Sequence, residues 1–241
     1  MKYLKIILTS FFLSLIITNT YAAKGAATVY KITMTKLEMC DSASTDSLCN
    51  NPVTIGTGTS DVIDIASTTA GAAAGSYGNL GLGKFGTTYT YFQITMKRAF
   101  KIKGTAVDGA GTTCITAEDG DSSTAGEGAA NGGTPAEVTL YAGFVGDSGD
   151  GLPLTMNSVA DANGGTPAVA GTIADNSEFF QYREKLDTTL TLKAGVIPTV
   201  KIAFGTATAL EAVGNMGNCT QNIAAQVGFI AGEPDVSITF E

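Results

Sequence analysis

The chain contains no histidine and no tryptophan, and only 15% of its residues are charged. Each shortage removes a class of function. Without histidine there is no Ser/His/Asp or Cys/His nucleophilic centre, no histidine-ligated metal, and no side chain whose ordinary pKa lies near neutrality. Hydrolysis would then need a carboxylate pair or a Ser/Lys arrangement. The acids that could form such a pair lie mainly in Gly/Ser-rich loops, at Glu118, Asp119 and Asp121 and at Asp147 and Asp150. Loops of that kind hold carboxylates in water at ordinary pKa values, so the expectation is a protein that is not an enzyme. Without tryptophan, sugar stacking would rest on Tyr77, Tyr89, Tyr91, Tyr141 and Tyr182, and tyrosines on strands are commonly half-buried sheet residues.

What is present begins with an export signal. Lys2 and Lys5 precede an apolar run over 6–17, followed by small residues at Thr20 and Ala22, the order of a cleavable secretory signal peptide. The run is well short of the ~20 residues that span a bilayer as a helix. The reading is a leader over 1–22 and a single all-β extracytoplasmic domain over 23–241, exported to the periplasm or cell surface without a membrane span. Loss of the leader removes two lysines, leaving 12 basic and 22 acidic residues and a net charge of −10. Such a surface repels nucleic-acid phosphates and anionic headgroups.

The four cysteines, Cys40, Cys49, Cys114 and Cys219, are an even set in an exported chain and point to two disulfides, for which sequence alone permits three pairings. Cys40 and Cys49 flank a short polar, turn-rich stretch, which favours joining them and leaves Cys114 for Cys219. Zinc is disfavoured by the absence of CxxC spacing and of histidine.

Period-two alternation is the main structural signal. Over 92–106 the apolar residues Phe92, Ile94, Met96, Phe100, Ile102 and Ala106 share one face, while Gln93, Thr95, Lys97, Lys101 and Lys103 share the other. Arg98 interrupts the apolar face, which predicts either one bulged strand or two strands with a tight connection. The pattern recurs at Tyr30, Ile32 and Met34, shifts phase to Leu37 and Met39, and returns through Leu190 and Leu192, Ile202 and Phe204, and Ile238 and Phe240. About ten to twelve antiparallel strands are expected, arranged as a β-sandwich or jelly roll with long Gly/Ser/Thr/Ala-rich loops. The loops over 67–83 and 118–135 are expected on the surface, with little to offer a core. Residues 130–136 and 162–168 carry the identical run Ala-Asn-Gly-Gly-Thr-Pro-Ala, read as two hairpin loops built from turn-forming residues.

Calcium is the one cofactor the acidic loops suggest, since it takes clustered carboxylate and carbonyl oxygens. Asp119, Asp121, Asp147 and Asp150 are its candidate ligands, against the alternative of solvated acidic turns. Export, many strands, low charge, disulfides and no catalytic constellation together point to a structural or adhesive surface protein: a subunit of a filament or pilus-like fibre, a surface coat or an adhesin, partnered by itself or by other surface proteins. The alternatives are an outer-membrane β-barrel and a secreted calcium- or carbohydrate-binding module. Residues 23–39, a small-residue lead followed by a strand, are a candidate for addition to a neighbour's sheet edge, against pairing within their own domain.

Overall fold

The computed structural model describes residues 24–46, 48–67, 77–119, 129–142, 157–158, 178–213, 219, 228–232 and 234–241. Among these residues there are fifteen strands, a single 3₁₀ turn at Leu80–Leu82 and no α-helix. In chain order the strands are β1 (Lys24–Ile32), β2 (Met34–Asp41), β3 (Val53–Thr57), β4 (Ile63–Asp64) and β5 (Thr88–Lys97). They continue as β6 (Ala99–Val107), β7 (Thr113–Thr116), β8 (Ala129–Asn131), β9 (Val138–Tyr141) and β10 (Asn157–Ser158). The last are β11 (Phe179–Thr191), β12 (Val200–Gly205), β13 (Leu210–Val213), β14 (Gly228–Ala231) and β15 (Asp235–Phe240).

Every pairing is antiparallel, as the alternating pattern predicts. One sheet runs β14-β13-β1-β6-β7-β8, with β4 also against β1 and β9 also against β6. A second runs β10-β11-β5-β2-β3, and β12 and β15 form a separate two-stranded ribbon. The fold is an all-β, sandwich-like arrangement.

The two sheets share chain. β1 and β2 are separated by Thr33 alone and β5 and β6 by Arg98 alone, and each pair passes from the first sheet to the second or back at that residue. The interruption read in the sequence at Arg98 is therefore a corner where an apolar face changes sheet. Arg98 is 1% exposed, and its Nε donates to the carbonyl of Ala142 at 2.7 Å. Its backbone N–H donates to Glu178 and its carbonyl accepts from Ala142, while the Lys97 N–H donates to Thr33. Backbone groups that the bend withdraws from the ladders thus find partners in neighbouring segments, as burial requires.

Inward-facing residues form two clusters. One gathers Tyr30, Phe100, Phe180, Ile102, Leu140 and Phe229, with the Phe100 ring 5.5 Å from Tyr30 and 5.9 Å from Phe180. The other gathers Met39, Phe92, Leu186, Leu190, Leu192 and Ile238. Outward positions on β6 carry Lys101 and Lys103. Lys31 stands opposite Lys101 across the β1–β6 pair, and that repulsion is relieved by Glu137, 2.7 Å from Lys31, and by Asp119, 3.8 Å from Lys101.

The cysteines pair as Cys40–Cys49 and Cys114–Cys219, with Cα separations of 5.1 and 5.4 Å. In the chain-entropy picture the short loop is worth about 2.6 kcal/mol and the long one about 4.8 kcal/mol. Two disulfides fit an oxidising, extracytoplasmic setting, and among the described residues no helix is long and apolar enough to cross a membrane.

Two expectations change, and one alternative left open, the pairing of the N-terminal strand, takes its within-domain form. The segment 67–83 is not all surface: Leu80 is buried in the second cluster, where a 3₁₀ turn capped by the Asn79 side chain brings it inward. The segment 118–135 contains a strand, β8, paired with β7. The N-terminal strand pairs within its own domain, against β6, β13 and β4. It buries Ala27, Tyr30 and Ile32 there. In the first copy of the repeated heptapeptide, Gly132 and Gly133 hold φ of 64° and 95°, left-handed values that suit glycine. The second copy and the leader lie outside the described residues.

Candidate functional site

A concave feature lies between the sheets. β5 presents Phe92, Ile94 and Met96 to the interior and β2 presents Leu37, as alternation dictates. Facing them is the β12–β15 ribbon, whose own alternation directs Ile202, Phe204, Val236 and Ile238 inward. Among the described residues no ladder joins the ribbon to either sheet. It is held by side-chain packing and by such bonds as the Ile238 N–H to Asp187 Oδ2, 3.2 Å. The walls consequently do not close, and a cavity of about 750 Å³ remains. Met34, Ile63, Ile94 and Phe204 on its lining are only partly buried, as are Leu37 and Ile202.

The few polar groups on this lining are already engaged. The Tyr30 hydroxyl donates to the Gly232 carbonyl at 2.9 Å, and the Tyr77 hydroxyl donates to the Gly58 carbonyl at 2.5 Å. Asn79 Oδ1 accepts the Gly81 N–H at 2.9 Å. Tyr182 donates to the Glu184 carboxylate, and Lys201 Nζ bonds Glu241 at 2.6 Å. Among the described lining residues Glu184 is the one carboxylate and Lys201 the one ammonium. Such a wall can bind apolar matter.

The opposite face of the same sheet is polar and also buried. In register across β3, β2, β5 and β11 stand Thr54, Glu38, Gln93 and Arg183. Gln93 Nε2 donates to Glu38 Oε2 at 2.7 Å, and Lys36 Nζ lies 2.6 Å from Glu38 Oε1. Gln93 Oε1 is buried without a hydrogen-bond partner. The loop closed by Cys40–Cys49 folds over this row: the Tyr91 hydroxyl donates to Asp46 Oδ1 at 2.8 Å, and Arg183 Nη1 donates to the Asp46 carbonyl at 3.2 Å. Burial lowers the Arg183 guanidinium below its ordinary pKa, an effect Glu38 opposes. Burial raises the Tyr91 phenol, and its bond to Asp46 raises it further. At the root of the loop Asp41 is held low, first by Asn51 and then by the Ala43 N–H. The row works as a clamp for the disulfide loop.

Of the candidate calcium ligands, Asp119 alone is among the described residues. Asp119 Oδ1 accepts the Thr139 N–H at the start of β9 and faces Lys101. Asp121, Asp147 and Asp150 lie outside the described residues. Asp108 lies beside Cys114 and Cys219, but those sulfurs are joined to each other, and Asp108 Oδ1 accepts the N–H groups of Ala110 and Thr112. Of the five candidate sugar-stacking tyrosines, Tyr89, Tyr91 and Tyr182 are buried and Tyr77 lines the cavity.

The cavity itself was not foreseen from sequence. Its signal was the two C-terminal alternating segments, whose inward residues are mostly branched aliphatics with no tryptophan to fill the gap. Comparisons with protein-family models, with curated proteins and with solved structures found no match to this chain.

Proposed function

We propose that this chain is an exported, non-enzymatic β-sandwich protein of the periplasm or cell surface, a structural or adhesive subunit that acts by binding. The observation that carries the reading is the character of the large cavity: apolar walls, one carboxylate, and polar groups spent on internal bonds. The paired cysteines support export to an oxidising compartment. The burial of apolar faces between the sheets, with Lys101 and Lys103 outward on β6, supports a water-facing sandwich over an outer-membrane barrel, which would turn apolar residues to lipid and polar ones inward. With β1 locked in the middle of a sheet, self-association would proceed between folded units.

Fractionation of the native cells tests this directly. Recovery in a sedimentable surface or filament fraction, or free in the periplasm or medium, agrees with the proposal, and negative-stain microscopy separates fibres from single particles. Recovery only in membranes, resistant to carbonate and requiring detergent, would replace it with the barrel.

A further inference from the structure

We infer that the inter-sheet cavity is a binding site for an uncharged, predominantly hydrocarbon molecule, of the class of long-chain alcohols or isoprenoids. The inference rests on the reading of the chain as a binding protein and names what it binds.

Three observations converge. The first is size and lining: about 750 Å³ falls within the range of small-molecule pockets, roughly 300–1,000 Å³, and the walls are aliphatic and aromatic. The second is the state of the polar groups. A sugar or a peptide brings many donors and acceptors that need partners, but Tyr30, Tyr77, Asn79 and Lys201 are bonded within the protein. Entry of such a ligand would strand its polar groups in an apolar site, a penalty that discriminates strongly. A fatty-acid carboxylate or a phospholipid phosphate would carry charge into these apolar walls, where Glu184 is the one carboxylate among the described lining residues and Lys201 is ion-paired with Glu241; an alcohol carries no such charge.

The third observation is exposed apolar surface beside the cavity. Ile197 lines the cavity yet is 63% exposed, and Leu82, Phe85 and Val196 are exposed as well. The two loops that carry them meet: Ile197 Cδ1 stands 3.1 Å from the position a Cβ on Gly81 would take, and the Gly86 N–H donates to the Leu192 carbonyl at 2.8 Å. Large apolar side chains exposed on two adjoining loops, one of them on the cavity wall, are surface that water does not favour and an apolar ligand would meet.

The test is a fluorescence titration of the purified, disulfide-bonded chain with N-phenyl-1-naphthylamine, an uncharged probe that brightens in apolar sites, followed by displacement with 1-hexadecanol or palmitate. Saturable binding is expected, with hexadecanol displacing the probe at concentrations about tenfold below those needed for palmitate. Ile94→Trp, which fills the cavity, is expected to weaken probe binding about tenfold, and Ile197→Glu, at an exposed position that leaves the core untouched, about threefold. Glu184→Gln is expected to narrow the gap between alcohol and acid. A probe signal that does not saturate, or that both Ile94→Trp and Ile197→Glu leave unchanged, overturns the site; equal displacement by alcohol and acid overturns the ligand class. None of these outcomes depends on where the protein resides, so the cavity can fail while the surface reading stands, and the reverse.

Discussion

The two faces of β5 lie back to back on one strand and solve burial in opposite ways. Outward, Tyr91, Gln93 and Thr95 are buried polar residues, and a disulfide-closed loop with Asp46 at its tip is drawn over them by hydrogen bonds. Inward, Phe92, Ile94 and Met96 are apolar, yet the space they face is not filled. Polar groups need specific partners, so a polar face recruits a particular piece of chain and closes tightly. Apolar groups need only exclusion from water, so the ribbon can pack against that face at a distance and leave room. The better-connected face reads as structural and the emptier one as functional.

The sharpest way to break this comparison is to truncate along the apolar side. Phe229→Ala, fully buried in the first cluster and away from the cavity lining, should lower stability by about 4 kcal/mol. Ile94→Ala, on the cavity, should cost about 1 kcal/mol, because a partly exposed side chain has less transfer energy to lose and enlarges a void already present. Urea denaturation midpoints measure both. Equal losses would mean that the cavity wall is packed as tightly as the filled cluster.

On the polar side Glu38 is the hub. Its side chain is 4% exposed and lies against Lys36, and it accepts from Gln93. Glu38→Ala should cost about 2 kcal/mol, since it leaves the buried Gln93 amide without its acceptor and removes the charge that opposes desolvation of Arg183. Its effect should fall between those of Phe229→Ala and Ile94→Ala. A loss below that of Ile94→Ala would show that the row is incidental and that the disulfide alone holds the loop.

The sequence made one of these faces far more legible than the other. Alternation identified the inward residues of β5 and β6 and the interruption at Arg98, because a period of two is a local property. It could not say that the interruption moves the chain from one sheet to another, which depends on Thr33, Ala142 and Glu178 arriving from elsewhere. The disulfide pairing was legible from loop length and turn content. Leu80 was missed because one leucine in a Gly-rich stretch carries no periodic signal, and its burial is decided by a cap at Asn79. The cavity is less visible still, since a void is set by how far apart two apolar faces settle.

The smallest expected effect separates two carboxylates on outer faces. Asp119 is held below its ordinary pKa, first by the N–H of Thr139, then by that residue's side chain, with Lys101 adding to the effect. A carboxyl that is more acidic when folded stabilises the fold at pH above its unfolded value, near 3.8. That contribution is lost as pH falls through the lower, folded value. Its side chain is 66% exposed, so water and salt screen it and the contribution should stay below about 1 kcal/mol. Asp119→Asn should therefore lower stability at pH 7 by less than about 1 kcal/mol, leave it unchanged near pH 2, and so flatten the acid limb of the stability–pH curve between about pH 5 and 2. Glu38→Ala, by contrast, should lower the whole curve, because its role is to fill a buried network. If Asp119→Asn lowered stability at pH 7 as much as Glu38→Ala does, the carboxylate at the start of β9 would be as structurally committed as the one beneath the disulfide loop, and the contrast between solvated and enclosed outer faces would collapse.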